Sequence, residues 1–229
     1  MIQHVILSDQ VKEQLLDDIL SGRYKPGDRL VESQIAKSMG ISQSPVREAL
    51  RDLVAMRFVE VQPHKGARVR EINEREILEI YPVRASLEEL AGTLAADKVA
   101  DQFKDLEQAV QKMSVAFKDG DARTMAHWDV AFHRIIIEAS GNNVLIESWN
   151  GLMIESRTFL TLSNLITHKP DLNLAVWHDP IIEALREGDP VRCGMEMRKH
   201  VEEFGKVMTG VIQSNSGTSA ANSSTLEVS

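Results

Sequence analysis

The sequence predicts a mainly α protein in two unequal parts: a small head of three helices closed by a β hairpin, and a larger body that is an all-helical antiparallel bundle. Apolar residues recur at helical spacing along most of the chain, and strand-like alternation is confined to the neighbourhood of residues 59–69. Charge divides the chain at the same place. Residues 1–70 carry 11 Lys and Arg against 9 Asp and Glu, a net +2, whereas the remainder carries 15 against 25, a net −10. An overall charge of −8 would disfavour contact with a polyanion if it were spread evenly, but a basic head on an acidic body does not.

With 229 residues, 43% of them hydrophobic, the chain has enough material for two cores. Its single cysteine, Cys193, excludes a disulfide framework and any cysteine-rich zinc cluster, so a metal would be held by His and carboxylate groups. No apolar run has the length of a membrane span, and MIQHVILSDQ lacks the basic start and long apolar stretch of a signal peptide. A location in the reducing cytoplasm, away from the membrane, is expected.

In the head, Val11, Leu15, Leu16 and Ile19 form a helical stripe that follows Ser8-Asp9 and stops at Ser21-Gly22. A short helix from about Glu32 to Met39 turns Ile35, Ala36 and Met39 inward, and Gly40 is placed to end it. In the third helix Ser42 and Ser44 offer caps, Pro45 suits the first turn, and Val46, Ala49, Leu50 and Leu53 form the buried stripe. Two short helices joined by a tight glycine turn make a helix-turn-helix, whose second helix enters the major groove by its N-terminal residues. Gln43, Ser44, Arg47 and Arg51 occupy the exposed face there, where such side chains donate to phosphates and read base edges. Val59 and Val61, then Ala67 and Val69, flank the turn Pro63-His64-Lys65-Gly66, giving a wing hairpin with Lys65 and Gly66 at its tip. A solvated helix face is the plain alternative for either arginine alone. Double-stranded operator DNA is the partner that the combination predicts.

The segment IAKSMGISQSPVREALRDLVAMRFVEVQPHKGARV resembles the DNA-binding domain of the GntR family over roughly residues 8–70, with its PVREAL-type recognition helix and following wing. The resemblance implies that Arg47 and Arg51 contact DNA and that Gly66 lets the wing approach the backbone. Gln43 and Ser33 depart from arginines found at those places in the family, which points to a different base preference.

Beyond a connection near Arg70–Asn73 the body reads as helices, broken at Lys118-Asp119-Gly120, Ser140-Gly141-Asn142, Thr167–Asp171 and Gly188-Asp189-Pro190. Three of its stripes bury polar groups. Met125, Asp129, Phe132, His133 and Ile136 share one face, Leu174, His178, Ile181 and Leu185 a second, and Cys193, Met197, His200, Phe204 and Val207 a third. Buried and unpaired, these groups would be costly. Each histidine alone has an ordinary reading as a core residue; together with Asp129 they suit a divalent zinc, nickel, manganese or iron ion, zinc first among them. Arg84 falls within the stripe Ile77, Ile80, Leu87, Leu90 and Leu94, and a buried arginine needs an anion: either Glu88 one turn on, or the carboxylate of a ligand. Arg157 and Asn164, on another helix, are weaker pocket candidates, and a solvated face is the alternative for Arg157.

The body resembles the FCD ligand-binding domain of the FadR-like branch of the same family over roughly residues 74–209. The matching pieces are VRASLEELAGTLAA, the D-x-x-F-H ending at His133, the stretch from His178, and the histidine of MRKHVEE. This implies a metal held by Asp129, His133, His178 and His200, with an organic-acid effector beside it and Arg84 contributing. Pro82 and Pro180 fall within helical patterns, where a kink or restart is expected.

The expected organisation is therefore a winged helix-turn-helix over 1–70, a helical metal-binding, effector-binding and dimerisation domain over 71–212, and a disordered polar tail over 213–229. The expected function is transcription regulation by a homodimer on operator DNA, controlled by a small carboxylate effector. A metal-dependent enzyme and a pure metal sensor are the rival uses of the same His/Asp set, and the complete DNA-binding head disfavours the enzyme.

Overall fold

The computed structural model describes residues 2–62, 65–71, 74–152, 154–168 and 172–223, and divides into two compact units, Met1–Glu71 and Ile72–Ser229. The first unit contains α1 (Ile2–Leu20), β1 (Arg29–Leu30), α2 (Glu32–Met39), α3 (Gln43–Ala55), β2 (Val59–Gln62) and β3 (Gly66–Val69). Val11, Leu15 and Ile19 of α1 and Val46, Ala49, Leu50 and Leu53 of α3 are buried where the two helices pack. Each Val, Leu or Ile side chain among them contributes about 1.5–3 kcal/mol when it is fully withdrawn from water. Between α2 and α3 the chain turns at Gly40, whose φ of 67° is left-handed; the Ile41 N–H returns to Ala36 O at 3.0 Å and closes the end of α2.

Several local expectations are corrected. α1 opens at Ile2, so Ser8 lies buried inside it rather than at its start, because the apolar run before Ser8 extends the helical pattern. Ser42 occupies the N-cap position of α3, but no side-chain hydrogen bond caps that end. The two-residue strand β1 was not foreseen. It pairs with β3, giving an antiparallel sheet in the order β1-β3-β2, in which Val59 stands opposite Val69 and Val61 opposite Ala67. Two residues carry too little alternation to register as a strand in sequence. Pro63 and His64 of the hairpin turn lie outside the described residues.

The second unit contains α4 (Glu74–Ala95), a 3-10 turn (Ala100–Gln102), α5 (Phe103–Lys118), α6 (Ala122–Ala139), α7 (Asn143–Gly151), α8 (Ile154–His168), a second 3-10 turn (Ala175–His178), α9 (Asp179–Glu187) and α10 (Pro190–Ser223). Side chains fix several starts: Asp121 accepts from the Thr124 N–H at 3.0 Å, and Asn142 from the Leu145 N–H at 3.2 Å. Pro82 sits within a continuous α4, whereas Pro180 falls in the first turn of α9, after the 3-10 turn has ended at His178. One proline is thus absorbed and the other marks a restart.

α4 and α10 run antiparallel in close contact, Gly92 lying against Cys193 and Met197, and Gly205 against Tyr81. Beyond Ile77 and Tyr81 the buried face of α4 is accordingly small or polar: Arg84, Ala85, Glu88, Ala91 and Ala95 are buried, and Leu90, expected in the core, is 45% exposed. A row of leucines would hold the helices apart. α10 also continues as helix to Ser223 through the segment from Gln213 that composition assigned to an irregular tail. Extending an existing helix needs no new nucleus, so polar residues without a core can follow it. Residues 224–229 lie outside the described residues.

A Cβ on Gly92 would stand 2.8 Å from the Cys193 carbonyl oxygen, while one on Gly210 would meet nothing within 4 Å. Gly210→Ala is therefore expected to raise stability by about 0.5–1 kcal/mol through helix propensity alone. Gly92→Ala is expected to lower it, since overpacking costs about 1–3 kcal/mol and outweighs that gain. Denaturant titration of the two variants checks the opposite signs.

Candidate functional site

On unit 1, α3 presents Gln43, Ser44, Arg47 and Arg51 to solvent, and Lys65 and Gly66 are exposed on the hairpin, Gly66 with a left-handed φ of 80°. The sequence reading missed the partner of Arg47. Glu32, the first residue of α2, accepts from Nε at 3.1 Å and from Nη2 at 3.0 Å. Its distance of 15 residues from Arg47 hides the pair from any local pattern.

On unit 2, three elements bring ligand-type atoms together. Asp129 and His133 stand one turn apart on α6, His178 ends the second 3-10 turn, and His200 comes from α10. One ligand atom from each lies within 4.8 Å of all the others. The three histidines are buried, while the Asp129 side chain retains 15% exposure. Nε2 of His133 faces Nε2 of His200 at 3.2 Å, and Nε2 of His178 lies 3.3 Å from Asp129 Oδ1 without a hydrogen-bond partner.

The outward nitrogens explain this aim. Nδ1 of His178 is 3.1 Å from Ala175 O, and Nδ1 of His133 is 2.6 Å from Glu88 Oε2. With Nδ1 protonated toward these acceptors, the Nε2 lone pairs are left facing inward. Two lone pairs 3.2 Å apart repel unless a proton or a cation lies between them, so the donor set of three imidazoles and one carboxylate fits a divalent ion. Burial alone would raise the Asp129 carboxyl, but the His178 and His133 imidazoles beside it and the Arg84 guanidinium hold it down at about 2. Burial, then the neighbouring His178 and His133, pushes His200 well below the ordinary imidazole range. Both groups are thus kept in the forms that bind metal.

Arg84 is 4% exposed, and its Nε donates to Glu88 Oε1 at 2.6 Å. Its Nη2 lies 3.9 Å from Asp129 Oδ2, and its guanidinium stands 5.9 Å from the Tyr81 ring centre. Burial opposes the charge on Arg84, but Glu88 and Asp129 over-compensate and raise its pKa above the usual range. Tyr81, by burial, is pushed up to about 12 and stays neutral. Both anions open to Arg84 in the sequence, a protein carboxylate and a ligand's, thus remain chemically available: Glu88 holds Nε, and Nη2 lies near the cluster. Arg157 is buried against Glu76 at 2.8 Å, which excludes the solvated face considered for it, and its helix α8 packs on α6. The side chain of Asn164 lies outside the described residues. Sequence reasoning also missed Glu88 as a partner of His133, and Trp149, whose Nε1 donates to Glu88 Oε1 at 2.8 Å.

A winged helix-turn-helix joined in one chain to a helical domain with such a cluster is the layout of a transcription regulator. The family described as "Bacterial regulatory proteins, gntR family" matches residues 7–69, and the FCD domain matches residues 79–203. The chain belongs to the GntR family, as a member with an FCD domain. It is 34% identical over 215 residues to the "Probable D-xylose utilization operon transcriptional repressor" of Paenarthrobacter nicotinovorans, covering 94% of this chain and 93% of that one. The solved structure of Escherichia coli McbR/YncC, 26% identical, superposes with a TM-score of 0.69 over 88% of this chain and 96% of its own. A GntR regulator from Rhodococcus, 23% identical, has the same fold, with a TM-score of 0.73 over 89% and 97%. The protein is a transcription regulator and not an enzyme, and regulators of this family bind operator DNA. Among the described residues no helix is long and apolar enough to cross a membrane.

Removing one partner of a buried ion pair costs about 3–5 kcal/mol, because the other charge is stranded. Arg84→Met is therefore expected to destabilise the protein strongly, and adding Glu88→Leu to return part of that loss. A double-mutant cycle by denaturant titration checks this; additive losses would mean that the two side chains do not interact.

Proposed function

We propose that the protein is a cytoplasmic, homodimeric repressor or activator whose operator affinity is set by a small organic acid bound at a divalent metal centre. The convergence of Asp129, His133, His178 and His200, with the Arg84 guanidinium beside Asp129, carries this reading. Three neutral imidazoles and one carboxylate would leave a divalent ion with net positive charge, and so supply electrostatic attraction for an acid. Arg84 extends that attraction with a planar fork that matches a carboxylate. The relative from Paenarthrobacter is named for an operon of D-xylose use. For this chain the cationic character of the site favours an acid over a neutral sugar. Zinc suits the nitrogen-rich set best, with nickel, manganese and iron as competitors.

On the DNA side, Gln43, Ser44, Arg47 and Arg51 would face the major groove, and Lys65 and Gly66 the adjoining backbone. One small winged helix buries little DNA surface, which supports a two-fold dimer on a pseudo-palindromic operator. Arg157 and Asn164 are the further effector contacts considered for α8.

Two measurements test the reading. Arg47→Ala and Arg51→Ala are each expected to weaken operator binding by about 1–3 kcal/mol at fixed salt. Unchanged affinity in a gel shift would remove α3 as the reader. For the effector site, purified protein is titrated with zinc and with small carboxylates, separately and together, while operator binding is followed. The expected result is a response to acid that needs metal, is lost with chelator, and is lost in His133→Ala and His200→Ala together with bound zinc. Arg84→Lys, which keeps the charge without the fork, should weaken the acid response and spare zinc retention. A response to metal alone would make the protein a metal sensor; retention of no divalent ion under any loading condition would overturn the metal-centred reading.

A further inference from the structure

Glu88 is fully buried, and polar side chains from three helices converge on it. Its two oxygens divide the work. Oε1 accepts from Arg84 Nε at 2.6 Å and from Trp149 Nε1 at 2.8 Å, while Oε2 lies 2.6 Å from Nδ1 of His133. A carboxylate needed only to neutralise Arg84 has no use for a histidine on its other oxygen. The three histidines of the cluster are also unequal on their outward sides. Nδ1 of His133 has a carboxylate oxygen 2.6 Å away, in ion-pair contact and not in a hydrogen bond of regular geometry, Nδ1 of His178 faces a backbone carbonyl at 3.1 Å, and Nδ1 of His200 has no hydrogen-bond partner among the described residues.

We propose that Glu88 is the positioning residue of the metal centre: Oε2 orients His133 and strengthens its Nε2 as a donor, while Oε1 shares Arg84 with an incoming acid. The inference rests on the metal-centred reading above and deepens it. An imidazole whose Nδ1–H is held by a carboxylate is locked in one tautomer and is more basic at Nε2. His133 is then the strongest nitrogen ligand of the three and His200 the weakest. Because Arg84 and His133 draw on one carboxylate, an acid that takes up Arg84 leaves more of the Glu88 charge to His133. Acid and metal therefore strengthen each other's binding, and the coupling is reciprocal.

The test uses the full chain and zinc alone as the probe, with affinity read by competition against a chromophoric chelator and geometry by the visible spectrum of a cobalt-loaded sample. Glu88→Gln keeps the volume of the side chain but turns one acceptor into a donor. It is expected to lower zinc affinity by about 10- to 100-fold and to shift the cobalt bands. Trp149→Phe removes a donor from Oε1 without touching the link to His133, so it should keep zinc affinity near wild type even where it lowers the melting temperature. Equal zinc affinity in Glu88→Gln and wild type would overturn the role of Glu88 and leave the metal centre standing; no zinc binding by wild type would overturn both. If Glu88→Gln does not fold, nitrogen NMR of histidine-labelled, metal-free wild type decides. A His133 protonated at Nδ1 supports the proposal, and one protonated at Nε2 overturns it.

Discussion

The close antiparallel approach of α4 and α10 is the constraint on which the second unit depends. Gly92 and Gly194 leave no room for a Cβ between the helices and Gly205 leaves little, and Ala85, Ala91 and Ala95 keep the inward face of α4 low around Arg84 and Glu88. That spacing lets short side chains from opposite helices meet over one small volume. Arg84 and Glu88 enter it from α4, and His200 from α10. Wider spacing would leave Glu88 and Arg84 solvated, and a solvated pair of that kind holds its geometry weakly.

Burial then turns polarity into order. A carboxylate without water must be satisfied inside the protein, and Glu88 draws donors from its own helix and from α7, with His133 of α6 2.6 Å from its other oxygen. The same requirement fixes which nitrogen of His133 faces the cluster. The polar groups of this core are thus oriented by one another, and the apolar residues around them, Phe132 and Ile136 among them, exclude the solvent that would loosen them.

Much of this was legible in sequence, and the reason is local periodicity. The stripe on α3, the Gly40 turn and the inward Asp129, His133 and His200 each follow from spacing within one element, and His178 from a stripe that runs on across the 3-10 turn into α9. What spacing does not encode is which element lies opposite. Glu88 could be assigned to Arg84, four residues away, but not to His133 or Trp149, which are distant in the chain. The Glu32–Arg47 pair was hidden for the same reason. Leu90 was misassigned because periodicity alone does not distinguish the stripe that packs, Ala85, Glu88, Ala91 and Ala95, from the one beside it. Arg157 was hard to place because its partner Glu76 lies 81 residues earlier.

The Glu32–Arg47 pair also bears on how the head would search a genome. Arg47, exposed on α3, already carries a counter-anion of its own, tethered by the fold. A phosphate or a base edge must displace that carboxylate before it gains the guanidinium. Mobile salt ions released from a surface add entropy to binding, but a tethered carboxylate released from Arg47 stays attached and adds none. Were α3 to enter the groove, a sequence that offers Arg47 only a phosphate would therefore gain less from it than a site that also offers a matched base. A built-in competitor of that kind would shorten residence on a wrong sequence, and discrimination would then begin with an acid on a neighbouring helix that never needs to touch DNA.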